Sequence, residues 1–301
     1  MVIQHPLRKA SALIKLSVVA LGFSFTSMPS YAHEHGNAAL GFETTKLSSN
    51  IYMISGKGGF TGGNIGLVVG NDGSVMIDNG LSSVTDLLLT EIAKTTEKPI
   101  DYLINTHLHG DHIGNNARFS NEGAKIISHQ NLRASLKKKN EKAAALPVMT
   151  FSDQMTLHIN NDAAKIIHIK NAHTDGDAII HFENANIIHT GDLVFNGRFP
   201  FIDANNGGTL AGVLNGLRLI VSLSDDETKI IPGHGPLANK ADIEKTIALL
   251  EDSRDLVAKL VEEGKSDSEI YKANPLSKYQ SYSWGFINTK KMTTQMITNI
   301  R

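Results

Sequence analysis

The run His107-Leu108-His109-Gly110-Asp111-His112 constrains the fold of this 301-residue chain more than any other feature. It directly follows Tyr102-Leu103-Ile104-Asn105, an apolar stretch typical of a buried strand. Four potential metal ligands within six residues cannot all point to one side of a regular helix or strand. The run therefore predicts a tight loop at a strand end, in which Gly110 allows a close turn and alternate residues face two neighbouring ions.

Three further potential ligands also follow apolar, strand-like stretches of the chain. They are His173, Asp192 and His234. Strand ends hold side chains at the edge of a sheet, where the rigid backbone fixes their positions. Imidazole and carboxylate groups suit Zn²⁺, and seven of them are too many for one tetrahedral ion. We therefore expect two ions, roughly 3.5–4 Å apart.

Strand and helix patterns alternate along the rest of the chain. Strands are predicted at 51–54, 64–69, 74–78, 102–105, 125–128, 155–159, 165–169, 178–182, 186–190 and 229–232. Helices are predicted at 81–94, 130–144, 210–223, 240–262 and beyond Trp284. Asp72-Gly73 predicts a hairpin between two of these strands. Strands packed between helices on both sides indicate a layered sandwich, and the lack of a Pro/Ser-rich joint predicts a single domain at 33–301.

The first 32 residues have the pattern of a secretory signal peptide. Three basic residues, Arg8, Lys9 and Lys15, precede the short apolar run Leu16–Phe25, and Ser30-Tyr31-Ala32 is typical of a cleavage site. We expect cleavage after Ala32 and a location in the periplasm or outside the cell. An uncleaved membrane anchor is the alternative, although so short an apolar run spans a bilayer poorly.

Cysteine is absent from the sequence, which excludes disulfides, thiolate ligands and a cysteine nucleophile. Without the signal peptide, 26 basic and 30 acidic residues would remain, giving a net charge of −4. This charge argues against nucleic acid or an anionic membrane as a partner and favours a small-molecule substrate. The sequence gives no indication of oligomeric state.

Cleavage after Ala32 would also create a new amino terminus that begins His33-Glu34-His35. A free amine, backbone amides and the imidazole of the third residue can form a square-planar ligand set. Such a set favours copper or nickel, so His33 and His35 are a second candidate metal site.

The main motifs, in this order, resemble those of the metallo-β-lactamase superfamily. They are Thr106–His112, His173-Thr174, Gly191-Asp192 and Pro232–Gly235, together with the upstream turn Ile77–Gly80. The resemblance implies an α+β fold, a four-layer αβ/βα sandwich with the metals at one edge of the two sheets.

The resemblance also implies a role for each ligand, carried over position by position. His107, His109 and His173 would hold one Zn²⁺, and Asp111, His112 and His234 would hold a second. Asp192 would bridge the two ions. Asp78 would support the cluster without being a ligand.

Two positions narrow the resemblance within the superfamily. His109 stands where the di-iron, oxygen-reducing members have Glu. Asp192 resembles the bridging residue of hydroxyacylglutathione hydrolases, lactonases and RNA-processing members, whereas zinc β-lactamases usually lack a bridging Asp. The extra domain of the RNA-cleaving members has no counterpart in this sequence. The resemblance thus implies the fold of the metallo-β-lactamases, but it does not imply that the substrate is a β-lactam.

The expected activity is hydrolysis of an amide, ester or thioester carbonyl by a hydroxide that bridges two zinc ions, oriented by Asp111 and Asp192. An exported location favours β-lactamase-like activity, whereas the bridging Asp192 favours a lactonase or a thioesterase of the hydroxyacylglutathione-hydrolase type. A periplasmic metal-binding protein without catalysis is the alternative of a different class.

Two residues outside the motifs are candidates for substrate contact. Phe60 lies in the glycine-rich loop 57–63 and could cover the substrate, or be an ordinary exposed residue. Arg198 follows the bridging acid and could bind a substrate carboxylate, or pair with a structural acid. Trp284 and Phe286 are expected to pack against the terminal helix. Five histidines in strand-like stretches are expected to be structural: His129, His158, His168, His181 and His189.

Overall fold

A computed structural model describes residues 39–301. The predicted signal peptide, its cleavage site and the copper site at His33 and His35 lie outside the described residues. Within those residues, no helix has both the length and the apolar character needed to cross a membrane. The described residues fall in one compact unit, and a single domain at 33–301 stays a prediction.

The first sheet contains seven strands in chain order. They are β1 (Gly41–Lys46), β2 (Ile51–Lys57), β3 (Ile65–Val69), β4 (Ser74–Ile77), β5 (Tyr102–Ile104), β6 (Lys125–His129) and β7 (Met149–Phe151). The strands β1 to β4 pair antiparallel, and the predicted hairpin joins β3 to β4. The strands β4 to β7 pair parallel.

The second sheet contains five strands, and each strand lies next to the one that follows it in the chain. They are β8 (Gln154–Ile159), β9 (Asp162–Ile169), β10 (Asp177–Phe182), β11 (Ile187–His189) and β12 (Lys229–Ile231). The strands β8 to β11 form an antiparallel meander. The last strand, β12, pairs parallel with β11.

Eight α-helices connect or cover the strands within the described residues. They are α1 (Thr85–Ala93), α2 (Gly110–Ile113), α3 (Asn116–Asn121), α4 (Gln130–Lys138), α5 (Leu210–Leu223), α6 (Lys240–Glu262), α7 (Asp267–Ala273) and α8 (Thr289–Ile300). The first sheet packs α1 and α3 against its outer face, and the second sheet packs α5, α6 and α8 against its own. Both sheets bury their inner faces in a shared core.

Alternation along each strand explains this layering. In β4, Val75 and Ile77 face the core between the sheets, whereas Met76 faces the helices outside. In β11, Ile187 faces the inner core and Ile188 faces the outer one. Strands covered on both faces have apolar residues at consecutive positions, as both examples do. The arrangement confirms the predicted α+β fold with four layers, αβ/βα.

The predicted elements differ from the structure mainly at the edges. The strands β1 and β7 were not predicted, because these edge strands carry polar and exposed residues. The predicted helix 130–144 ends at Lys138, and Asn140 adopts a left-handed φ of 57° that stops it. Helix α7 was also missed, although Ser266 and Glu269 form the capping box that marks its start.

Candidate metal centre

The carboxyl ends of five strands meet at one edge of the sandwich. The strands β4 and β5 run parallel, as do β11 and β12, and β9 has the direction of β11 because β10 lies antiparallel to both. The amide of Ala178 donates a 2.9 Å hydrogen bond to the carbonyl of Thr106, which joins the two sheets at this edge.

Every predicted metal ligand lies in a segment that follows one of these strand ends. The histidine run follows β5, His173 follows β9, Asp192 follows β11 and His234 follows β12. The run is not the tight loop that we expected, because Gly110–Ile113 forms the short helix α2. The expected role of Gly110 is also wrong, because a side chain there would have open space and its φ is not positive.

Three groups of potential ligand atoms form at this edge, and one of them, Asp78 with His107 and His112, shares both its histidines with the other two. We call the other two the ligand groups: the first contains His107, His109, His173 and Asp192, and the second contains Asp111, His112 and His234. Within each group the ligand atoms all lie within 4.8 Å of one another. The structure therefore brings all seven predicted ligands together, in the two sets that the sequence motifs imply.

The carboxylate of Asp192 lies between the two groups. Its Oδ2 is 3.6 Å from His107 Nε2 and 3.5 Å from His173 Nε2. Its Oδ1 is 3.0 Å from His112 Nε2 and 3.4 Å from His234 Nε2. One oxygen thus faces each group, which is the arrangement a bridging carboxylate requires.

Asp78 holds the first-sheet half of the centre in place. It follows β4 with a left-handed φ of 58° and is fully buried. Its carboxylate accepts hydrogen bonds from the amide and hydroxyl of Thr106, at 2.8 and 2.7 Å. It also lies 2.7 Å from His112 Nδ1, which leaves His112 Nε2 to face Asp192. Asp78 is therefore placed to orient a ligand.

Asp203 performs the same task for His109 and was missed from the sequence. Its carboxylate lies 2.9 Å from His109 Nε2, so the Nδ1 atom of His109 faces the other ligands. The carbonyl of Phe201 likewise accepts from His173 Nδ1 at 2.7 Å. A hydrogen bond to one imidazole nitrogen fixes which nitrogen can bind a metal.

Several buried polar atoms at the centre have no hydrogen-bond partner. They are His107 Nε2, His112 Nε2 and Asp192 Oδ1. The 3.0 Å approach of His112 Nε2 to Asp192 Oδ1 is not a hydrogen bond of acceptable geometry. Buried polar groups without partners are costly unless something satisfies them. Imidazole and carboxylate donors in this arrangement fit two divalent cations, each bound by one group of ligands.

The charges at the centre also favour bound cations. Burial lowers the pKa of His112, but the carboxylates of Asp192, Asp78 and Asp111 outweigh it and raise that pKa well above its usual value. Burial raises the pKa of Asp192, but the surrounding imidazoles hold it well below its usual value. Burial lowers the pKa of His173 to about 4. Ionised acids and a neutral His173 are the forms that bind metals.

Two glycines allow the ligands to approach one another closely. A side chain at Gly233 would collide with Asp192 Oδ1, and one at Gly63 would collide with the ring of His112. Both glycines lie in segments that follow or precede strands of opposite sheets. The close packing of the centre therefore depends on the absence of a side chain at these positions.

Of the two predicted substrate-contact residues, Phe60 contacts a ligand directly, and Arg198 contacts Trp284, which lies next to a ligand. Phe60 is 58% exposed and stacks on His234, with ring centroids 5.9 Å apart. The half-buried guanidinium of Arg198 lies 5.6 Å from the ring of Trp284. It makes no ion pair within residues 39–301, so the alternative of a structural acid partner is wrong for that part of the chain.

The histidines that we expected to be structural stay outside both ligand groups within the described residues. They are His129, His158, His168, His181 and His189. Trp284 and Phe286 also pack as expected, since Trp284 lies against the core that includes α8 and Lys291 of α8 lies 4.8 Å over the Phe286 ring. The Trp284 ring lies 6.1 Å from His234, and Phe286 packs edge-on against Phe201 at 5.1 Å. The Trp284 ring thus lies next to a ligand, and Phe286 contacts two rings that do so.

Two curated relatives resemble this chain at low identity. A hydroxyacylglutathione hydrolase of Pelagibacter ubique is 31% identical over 137 residues, which are 45% of this chain and 52% of that protein. This chain therefore spans about half the length of that relative. A beta-lactamase-like protein 2 homolog of Caenorhabditis elegans is 24% identical over 232 residues, which are 75% of this chain and 74% of that protein.

Solved structures show the same fold. A metallo-beta-lactamase from Pontibacter korlensis superposes with a TM-score of 0.61 at 20% identity, over 70% of this chain and 99% of that chain. The sequence model of the metallo-beta-lactamase superfamily matches residues 58–234, which include every ligand described above. The chain belongs to the metallo-beta-lactamase superfamily.

Proposed function

We propose that this protein is a hydrolase that binds two divalent cations, with zinc as the expected metal, and cleaves an amide, ester or thioester carbonyl of a small molecule. The observation that carries the proposal is the Asp192 carboxylate, which faces one ligand group with each oxygen. A metal-storage protein is the competing function, but storage requires no accessible position beside the ions. Here Asp111 is partly exposed at the centre.

When bound, the two cations would supply a water of lowered pKa and a Lewis acid for the substrate carbonyl. The chain supplies the positioning. Asp192 and Asp111 would accept hydrogen bonds from the attacking water and orient it, and Asp111 lies at the exposed side of the centre, with Oδ2 3.3 Å from His234 Nε2. Asp78 and Asp203 keep His112 and His109 in the required orientation. No serine or cysteine nucleophile is required.

Two side chains near the centre are placed to contact the substrate, and one of them, Arg198, favours a substrate with a negative charge. Arg198 has a guanidinium without an acidic partner within residues 39–301, and a guanidinium binds a carboxylate through two parallel hydrogen bonds. Phe60 would cover the bound molecule from the glycine-rich loop between β2 and β3.

The substrate class separates two candidate activities. Asp192 and the 31% identical hydroxyacylglutathione hydrolase favour a lactone or a thioester. The predicted signal peptide and a position in the periplasm favour a β-lactam, because glutathione thioesters are mostly cytosolic. The periplasmic location is part of the proposal and would be tested by fractionating cells that produce the full chain.

Turnover by metal-loaded protein tests the proposal. The substrates are a chromogenic cephalosporin, an aliphatic lactone and a thioester. We expect His107→Ala and Asp192→Ala each to reduce kcat/KM by about 10³-fold or more, because each removes a metal ligand, while circular dichroism shows a folded protein. His158→Ala changes an exposed histidine and should keep wild-type activity. Full activity of either ligand variant would exclude the assignment, and inactivity of the wild type on all three substrates would favour metal storage.

A further inference from the structure

The segment Tyr282–Phe286 lies against the metal centre, although it follows the part of the chain that the superfamily model matches. The Trp284 Nε1 atom donates to the carbonyl of Phe199 at 2.9 Å. The amide of Phe199 donates to the carbonyl of Tyr282 at 2.8 Å. These two bonds attach the segment to the loop that follows Asp192.

Three aromatic side chains form a continuous layer beside the ligands. Phe201 stacks on His109 at 5.9 Å, Phe286 packs edge-on against Phe201 at 5.1 Å, and Trp284 lies 5.7 Å from Phe286. Trp284 is also 6.1 Å from His234. We call Phe201, Trp284 and Phe286 the aromatic wall. It extends from a ligand of one group to a ligand of the other.

The wall exposes apolar surface at the place where a substrate would bind. Phe286 is 47% exposed, and Phe60 is 58% exposed beside His234. The other large apolar side chains that are exposed within residues 39–301 lie in α1, before β1 and around β7. Single exposed apolar residues are ordinary, but exposed aromatic rings grouped beside a polar centre indicate a ligand-binding surface.

A positive charge lies on the face of the wall. The Arg198 guanidinium is 5.6 Å from the Trp284 ring and has no acidic partner within residues 39–301. Contact with an aromatic face holds a guanidinium in place and leaves its edge free to donate hydrogen bonds. The wall therefore offers an aromatic surface and a carboxylate partner next to each other.

We propose that the aromatic wall and Phe60 form a subsite for an aryl group of the substrate, with Arg198 binding a carboxylate of the same molecule. The substrate class is then aryl-substituted acyl compounds that carry a carboxylate near the bond to be cleaved. The proposal rests on the proposed function, because the metal centre places the carbonyl. It adds that Trp284 and Phe286, which lie outside the matched region, take part in selecting the substrate.

Two thiols that differ only in the phenyl group test the subsite on zinc-loaded protein. They are 2-mercapto-3-phenylpropanoate and 2-mercaptopropanoate, and both would bind the metals through sulfur. We expect the phenyl compound to bind about tenfold tighter by calorimetry, because its ring leaves water for the wall. Trp284 is the only tryptophan in the chain, so its fluorescence should change when the phenyl compound binds.

Variants of the wall separate this inference from the proposed function. Phe286→Ala should reduce the preference for the phenyl compound to less than about threefold, whereas Trp284→Phe should keep most of it. The control Val148→Ala changes an exposed apolar residue next to the edge strand β7 and should keep the full preference. Equal Kd values of the two thiols for the wild type would overturn the subsite alone. Failure of both thiols to bind would overturn the metal centre and the subsite with it.

Discussion

The hydrogen bond between Asp203 and His109 orients a candidate metal ligand through a residue outside both ligand groups. His109 takes part in the first ligand group through Nδ1, because Nε2 lies 2.9 Å from the Asp203 carboxylate. Asn206 also donates to that carboxylate, at 2.6 Å. The carboxylate is thus held in place and in turn holds the imidazole.

We expect Asp203→Ala to weaken zinc binding by roughly 10- to 100-fold, because the imidazole of His109 loses its orientation and part of its basicity. Competition with a chromophoric chelator measures this change directly. The control Asp255→Ala removes an exposed carboxylate on α6 and should bind zinc as the wild type does. Wild-type affinity of Asp203→Ala would show that His109 needs no such partner.

At this scale the sequence predicts ligands better than the residues that orient them. The spacing of His107, His109 and His112 after a strand is local, so it is visible in the sequence. Asp203 lies 94 residues from His109, in a loop without regular structure apart from a short turn. Only the closed fold brings the two together.

At the scale of single elements, His129 links the start of α4 to the second sheet. Its Nδ1 accepts from the amide of Asn131 at 3.3 Å, and its Nε2 faces the carbonyl of Ser152 at 2.8 Å. Its ring also stacks on His168 with centroids 3.6 Å apart. Both nitrogens are used by the neutral imidazole, so a second proton would break the helix cap.

Burial and the neighbouring His168 lower the pKa of His129, and outweigh the opposite effect of the Ser152 carbonyl and of Asp175 and Asp153. The unfolded chain therefore binds this proton more readily than the folded protein, and the contribution of His129 to stability is lost as pH falls below about 6.5. His129→Asn keeps a cap that does not titrate. We expect the difference in unfolding free energy between wild type and variant to shrink from pH 7.5 to pH 5, measured by urea denaturation.

A matched variant checks that this effect belongs to the cap. His158→Asn replaces an exposed histidine in β8, and its stability should follow that of the wild type at both pH values. A constant difference between wild type and His129→Asn across this range would contradict the assignment to His129.

The helices and strands themselves were predictable where apolar residues repeat, whereas the edge strands β1 and β7 have no such repeat.

At the scale of the whole molecule, the metal centre connects the two sheets. Asp78 and the histidine run come from the first sheet, and His173, Asp192 and His234 come from the second. Layering was predictable from strands with apolar residues on both faces. The surroundings of the centre were harder to predict, because Phe60 and Trp284 are far apart in the chain and come near His234 only in the closed fold.

We therefore expect zinc to stabilise the whole fold. A ligand that binds only the folded protein adds about 2.7 kcal/mol at 100 times its Kd, which corresponds to a rise in Tm of roughly 4–5 °C for a chain of this size. Differential scanning calorimetry with zinc and with a chelator measures the rise. It should diminish at pH 5, because the ligand imidazoles must lose their protons to bind metal.

The double variant His107→Ala/Asp192→Ala supplies the control for this measurement. It removes one ligand of the first group and the carboxylate between the groups, so zinc should raise its Tm by less than about 2 °C. The same rise in the double variant as in the wild type would place the stabilising zinc elsewhere on the molecule. Equal Tm values of the wild type with zinc and with chelator would show that the sheets hold together without a metal between them, and that the buried acids of the centre are balanced by protons on its histidines.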